Sequence, residues 1–317
     1  MRRKLEAEGA TFRVGYTTAL DLPLRQLAGT RVPARPNVAP AVNERAQRLL
    51  RIDRESAEKA NIDLQQFLCR PDAASFDWRT LNMVAPVRSQ ACGDCWEFTA
   101  MGAYEASYAL RNNQLVDTSE QYVLNCANAG DCGGGWWMPV FDFLIRHGDA
   151  READDPYTGN DHQRCPTGLN TRFRASAWGF VANDQATIPA VADVKKALCE
   201  HGPLATAVFV DPAFQAYTGG VFDEHTQRFD WINHGVVIIG WDDAKKAWLI
   251  KNSWGPGWGE TGGQGSSKGF MWIAYNTNNI GIATAWVDAM NRLYTLPPAW
   301  LEVFNHFKIK LPPIPRR

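Results

Sequence analysis

The sequence predicts an α+β protein, a helical lobe followed by a strand-rich lobe with a cleft where they meet. Three observations carry this. Residues 95–150 contain three stretches with helical apolar spacing. Between 204 and 275 lie four β-branched and aromatic runs bounded by Gly, Asp and Asn, at spacings that favour antiparallel pairs. The switch from one pattern to the other happens once, with no internal repeat. The chain has 317 residues, 45% hydrophobic and 21% charged, enough for one large domain or two lobes with a real core. A formal net charge of −1 gives no electrostatic reason to expect a nucleic-acid partner. No apolar run approaches the ~18 residues of a membrane span. The start, MRRKLEAEGATFRVG, is basic like a signal peptide but lacks its apolar core. Seven cysteines (Cys69, Cys92, Cys95, Cys126, Cys132, Cys165 and Cys199) leave at least one thiol unpaired if the others bridge. They favour an oxidising compartment, so a secreted or otherwise extracytoplasmic protein is expected in spite of the missing signal.

Taken in order, residues 1–72 read as an N-terminal extension without a core of its own. RVPARPNVAP (31–40) is proline-rich and should be extended. Residues 43–68 carry strong helix formers with apolar Leu49, Leu50, Ile52, Ile62, Leu64 and Leu68, which predicts one or two amphipathic helices. CWEFTAMGAYEASYALRNN (95–113) predicts a buried helix that ends at Asn112–Asn113. In TSEQYVLNC (118–126), Thr118 as N-cap and Gln121 three residues later read as a capping box. WMPVFDFLIRHG (137–148) is a short helix closed by Gly148. VADVKKALCEHGP (191–203) is a helix set among strands at 204–210, 234–243, 247–254 and 269–275. GPGWGETGGQGSSKG (255–269) is a loop, and 296–317 is a proline-bracketed tail with one short amphipathic stretch.

The chemistry centres on CGDCWEF (92–98). Two thiols at this spacing suit a redox pair, half of a zinc site with Cys126 and Cys132, or one disulfide half beside one nucleophile. A nucleophilic thiol needs a depressed pKa, a general base and donors for an oxyanion. Cys95 opens a predicted helix, whose N-terminus favours thiolate. Among His147, His162, His201, His225, His234 and His306, His234 stands out, because it begins the apolar strand HGVVIIG and so sits at the rim of a core element. Asn252 ends the following strand, one hairpin away, and Trp254 and Trp258 could shield a bond between them from water.

SQACGDCWEF, TSEQYVLNC, DCGGGW, NHGVVIIGW and IKNSWGPGWGE together resemble the signature blocks of papain-like cysteine peptidases, in the family's order, over residues 76–288. The resemblance implies a two-lobe fold, with a helical lobe at about 90–180 and an antiparallel, β-barrel-like lobe at about 181–288. These lie within a peptidase domain at 73–288, followed by a C-terminal extension at 289–317. It implies Cys95 as nucleophile, His234 as base and later acid, Asn252 as its orienter, and Gln90 with the Cys95 N–H as the oxyanion hole. Trp254 would cover the Asn–His pair. Gly134 and Gly135 would pair with an extended substrate as an added strand. Trp136, Trp137, Ala207, Ile232, Asn233 and Ala285 would shape the substrate site, with a preference for a hydrophobic residue two before the scissile bond. Cys92 would bridge Cys132, and Cys126 would bridge Cys165. Ile280 stands where a further bridge is expected, and Cys69 and Cys199 are left to bond each other. The implied reaction is peptide hydrolysis through a thioester acyl-enzyme, with no metal and no cofactor. Its partners are protein or peptide substrates.

Three departures temper the likeness. Gln90 lies one residue closer to the nucleophile than is usual. Glu97 stands where a small residue is common and Asp94 precedes the thiol, so two carboxylates oppose thiolate formation. The usual helical pro-region motif is missing, and the apolar stretch GYTTALDLPLRQLAG (15–29) suggests that part of 1–72 occupies the cleft and inhibits. The alternatives are a catalytically weak binding protein on the same scaffold, or an acyl transferase using the same triad.

Overall fold

The computed structural model describes residues 9–33, 35–57, 69–224 and 232–290. The expectations for 58–68, for His225 and His306, and for the tail 291–317 lie outside these residues. The elements run β1 (Phe12–Val14), α1 (Ala39–Ala57), β2 (Ser75–Asp77), α2 (Cys95–Asn112), α3 (Glu120–Cys126), β3 (Gly130–Asp131), β4 (Gly134–Gly135), α4 (Trp137–Arg146), β5 (Ala175–Phe180), α5 (Val191–His201), β6 (Leu204–Val208), α6 (Pro212–Gln215), β7 (Tyr217–Phe222), β8 (His234–Asp242), β9 (Ala247–Lys251), β10 (Phe270–Ala274) and β11 (Ile282–Ala289).

Strands β1-β7-β10-β9-β8-β6-β11-β5 form one sheet in that order, with β2 pairing β8. The order has two ends, β1 and β5, so the sheet does not close into a barrel. All neighbours are antiparallel except β7 and β10. β8 is buried along nearly its whole length, which is why its sequence reads as a continuous apolar run and not an alternating one. Helix α2 packs across it. Gly102 permits the approach, because a Cβ there would lie 3.0 Å from Val237 Cγ2.

Helix α2 spans the predicted range and ends on Asn113 in the left-handed conformation, φ 51°. The predicted capping box on α3 is not formed. Ser119 is the N-cap and accepts from the Tyr122 N–H. Thr118 instead donates its N–H and hydroxyl to the buried Glu105 carboxylate, and Gln121 reaches away to Thr158 and Asn160. Burial next to an acid that needs donors outcompetes the local cap. Helix α1 starts at Ala39, inside the stretch expected to be extended. Pro40 is tolerated there because first-turn N–H groups need no helical partner. Strand β5 falls inside the range assigned to the helical lobe, yet it pairs with β11 as an edge of the sheet.

The N-terminal segment is woven into the molecule. β1 adds a strand to β7, Thr17 donates to the Gln215 carbonyl, and the Gln215 amide donates to the Ala19 and Leu22 carbonyls. Beyond the cleft, α1 covers the β5 edge. Asn43 accepts from the Phe180 N–H and donates to Asn183, while Arg45 pairs with Asp142. Disulfides join Cys69 to Cys199, Cys92 to Cys132, and Cys126 to Cys165.

Candidate active site

Cys95 is the free cysteine among the described residues, and it begins α2 fully buried. His234 begins β8, and Asn252 follows the last residue of β9. The antiparallel pairing of these strands brings the two side chains together, with His234 Nε2 2.8 Å from Asn252 Oδ1. The Ser253 N–H also donates to that oxygen, which fixes the amide's orientation. Because Oδ1 only accepts, Nε2 carries the ring proton and Nδ1 keeps a free lone pair, with no bonded partner. The Trp254 ring lies 4.8 Å from the imidazole, backed by Phe214 and Trp258. This apolar wall explains the burial of His234, which pushes its pKa down to about 4, against the raising effects of Asn252 and the Leu27 backbone. Burial likewise pushes the Cys95 thiol up, partly offset by Thr30, Gly29 and Gly235. Thiol and imidazole are therefore both neutral with the cleft covered.

The cover is the N-terminal segment. The Gly29 N–H points at Cys95 Sγ at 3.3 Å, and Thr30 Oγ1 lies 3.2 Å from the same sulfur. Thr30 forms a parallel bridge with Gly135. The Gly135 N–H donates to Gly29, and the Arg31 N–H donates back to Gly135, each at 2.9 Å. On the opposite wall the Thr30 N–H donates to the Asn233 carbonyl at 3.0 Å. Gly134 flanks this contact, where a Cβ would lie 2.4 Å from the Gly29 carbonyl. Gln90 is held by Ser253, whose hydroxyl donates to Oε1 at 2.8 Å. Its Nε2 donates to the Cys92 carbonyl at 2.7 Å and reaches the Leu27 carbonyl at 3.4 Å, where the Trp254 indole also donates. Trp136, Trp137, Ala207 and Ala285 fall in one apolar cluster, which Ile232 borders and the segment's Val32 enters.

The sequence alone does not mark Gly29, Thr30 or Ser253. Ser253 lies in IKNSWGPGWGE between Asn252 and Trp254, and that position is its signal. Gly29 and Thr30 carry only the glycine as a mark. Asp94 and Glu97, noted as departures, are both fully buried.

The family model for papain family cysteine proteases matches residues 73–290. Digestive cysteine proteinase 3 of Homarus americanus is 34% identical over 225 residues, 68% of this chain and 65% of the relative. The gamete and mating-type specific protein A of Dictyostelium discoideum is 35% identical over 65% of this chain and 43% of its own length. The chain thus spans less than two thirds of each of these relatives. Among solved structures, the digestive procathepsin L2 proteinase of Tenebrio molitor larval midgut superposes with a TM-score of 0.68 at 26% identity, over 90% of this chain and 87% of that one.

Proposed function

Because the chain belongs to the papain family of cysteine proteases, we propose that it is a cysteine endopeptidase whose own N-terminal segment holds it inactive. The observation that supports this is one unbridged thiol at a helix N-terminus with the backbone of Gly235 acting on its sulfur, next in sequence to an imidazole, His234, whose Nε2 is bonded to Asn252. With the segment displaced, the Cys95 proton passes to His234 Nδ1 and the sulfur attacks the scissile carbonyl carbon. The oxyanion is met by Gln90 Nε2 and the Cys95 N–H. His234 then gives its proton to the leaving amine, and the C–N bond breaks to leave a thioester. Water, deprotonated by His234, opens the thioester and releases the acid. No metal or cofactor enters these steps.

The cluster of Trp136, Trp137, Ala207, Ala285 and Ile232 favours a hydrophobic side chain two residues before the scissile bond. Burial of Val32 in that cluster supports this reading. Gly135 and Asn233 would pair with substrate backbone as they pair with residues 29–31, with Gly134 leaving room beside them. Three disulfides support an extracytoplasmic setting. A thiol-directed covalent peptidase inhibitor tests the assignment on the full chain and on Cys95→Ala, before and after removal of residues 1–40. We expect labelling of Cys95 to reach stoichiometry and to become faster on removal, with no labelling or hydrolysis by Cys95→Ala. An unlabelled trimmed protein would favour the binding-scaffold reading. Product masses after adding an amine would separate hydrolysis from acyl transfer.

A further inference from the structure

We propose that Asp94 and Glu97, with the hydroxyl of Tyr157, form a proton-sharing pair behind Cys95 that sets the alkaline limit of the thiol's reactivity. The inference rests on Cys95 being the nucleophile. Asp94 immediately precedes the thiol at the N-cap of α2, yet its side chain does not cap the helix. It is fully buried and turns inward, with Oδ2 accepting from the Tyr157 hydroxyl at 2.6 Å. Tyr157 is fixed in turn by the Ala91 N–H at 2.9 Å and by the edge of the Phe98 ring at 5.0 Å. Glu97, in the first turn of the same helix, is also fully buried. Neither of its oxygens has a hydrogen-bond partner, and neither does Asp94 Oδ1. A buried carboxylate without donors is costly, so Glu97 holds its proton.

That proton has an acceptor to serve. The Glu97 N–H donates to the Asp94 carbonyl at 2.9 Å, so both buried carboxyls leave the same helical turn, and the Glu97 O–H is the donor that would satisfy Asp94 Oδ1 while Tyr157 satisfies Oδ2. The charged groups that act most strongly on the pair are acidic, while the cations Arg88 and Lys251 act on Glu120 behind them. Asp161 lies beyond Asp94, and Glu120 and Asp149 lie beyond Glu97. The Cys92–Cys132 bridge closes the remaining side and, being oxidised, offers no thiolate. Such surroundings hold one negative charge at most. Burial raises Asp94 to about 6, so the charge arrives near that pH, while Glu97 stays protonated well above the usual range. Once ionised, Asp94 is an anion one residue from the sulfur, and it opposes the thiolate. Below that pH the pair is neutral and adds no charge to the burial that already opposes the effect of the helix N-terminus on the sulfur.

Two measurements on the full chain test this. Infrared spectra of Cys95→Ala should show an un-ionised carboxyl band at pH 7 that Glu97→Gln removes, and a second that fades near pH 6 and that Asp94→Asn removes. Iodoacetamide alkylation of Cys95, each protein normalised to its own rate at pH 5, should bend near pH 6. At pH 7.5, Asp94→Asn should react about tenfold faster than wild type on that scale, as expected for a unit charge removed at close range. Tyr157→Phe should move the bend upward, because it removes a donor that holds the carboxylate. Absence of both infrared bands, or variant profiles that overlay the wild type, overturns the pair. The infrared measurement does not use the reactivity of Cys95, so failure of the pair and failure of the nucleophile are told apart.

Discussion

Ser253 touches both halves of the site. Its hydroxyl holds Gln90 Oε1 and its N–H holds Asn252 Oδ1, so one residue orients both the proposed oxyanion donor and the imidazole's partner. In the trimmed enzyme Gln90→Ala should lower kcat by about 10²-fold with KM little changed, the usual cost of losing one oxyanion donor. Ser253→Ala should lower kcat by a smaller factor, about tenfold, because the amide keeps its bond to Cys92 but loses the one that aims it. Steady-state assays on a peptide with a hydrophobic residue at the second position check both. An unchanged kcat in Ser253→Ala would show that Gln90 is oriented without it. At this scale the sequence marks residues whose type is chemically special, such as a thiol opening a helix, an imidazole opening a strand, and an amide at a strand end. It does not mark Ser253, because a serine declares no role until its two hydrogen-bond partners have been folded against it. Nor does it show that Glu97 points inward. The helical period puts Glu97 near Asp94, but which face is covered depends on the loop that carries Tyr157.

The inserted N-terminal segment is the element on which the proposed inhibition turns, and Gly29 is its tightest point. A Cβ there would lie 1.7 Å from the Gly93 carbonyl oxygen, backbone that cannot swing aside. Gly29→Ala should therefore lift the segment off the thiol. Overpacking typically costs ~1–3 kcal/mol, which corresponds to labelling of Cys95 faster by about tenfold or more in the untrimmed chain. Equal labelling rates in Gly29→Ala and wild type would mean that the segment does not limit access. Helix α1 follows the segment and is held to β5 through Asn43, while Cys69–Cys199 ties the chain at a sequence separation of 130. Replacing both cysteines with serine should cost about 2–4 kcal/mol of unfolding free energy in urea titrations, the usual worth of a long-loop bridge. The helices α2, α4 and α5 and the strands β6, β8, β9 and β10 are legible because each carries its own period or apolar run. β1, β5 and β11 are not. β1 is three residues long, and β5 and β11 are alanine-rich, so their state is decided by partners far along the chain and not by local preference.

The described residues bury more acid than the folded state can ionise, and this sets the sign of their contribution to pH dependence. Burial raises Asp94 to about 6 and carries Glu97, Glu120 and Asp149 well above the usual carboxylate range. Between the unfolded pKa near 4 and these raised values the folded state binds protons that the unfolded state has released. Stability therefore falls as pH rises through that window, by up to about 1.4 kcal/mol per pH unit for each proton so retained. His234 acts in the opposite sense. Its folded pKa is about 4, so the unfolded state takes up its proton first as pH falls below about 6.5, and stability is lost on that side. Asp288 adds to the acid side. Burial alone would raise it, but Arg111 and His201 outweigh burial and hold it low, so its contribution is lost on acidification below about 4. Glu105, Glu152 and Asp155 are raised as well, so seven raised acids stand against two lowered bases, His234 and the buried Lys251, and place the maximum in the mildly acidic range. Thermal unfolding of the full-length Cys95→Ala protein should show a higher midpoint at pH 5 than at pH 8. Asp149→Asn and Glu97→Gln should each flatten the decline, because each removes a group that must otherwise stay protonated. A midpoint that rises from pH 5 to pH 8 would mean that these acids find counter-charges in solution which the fold does not supply.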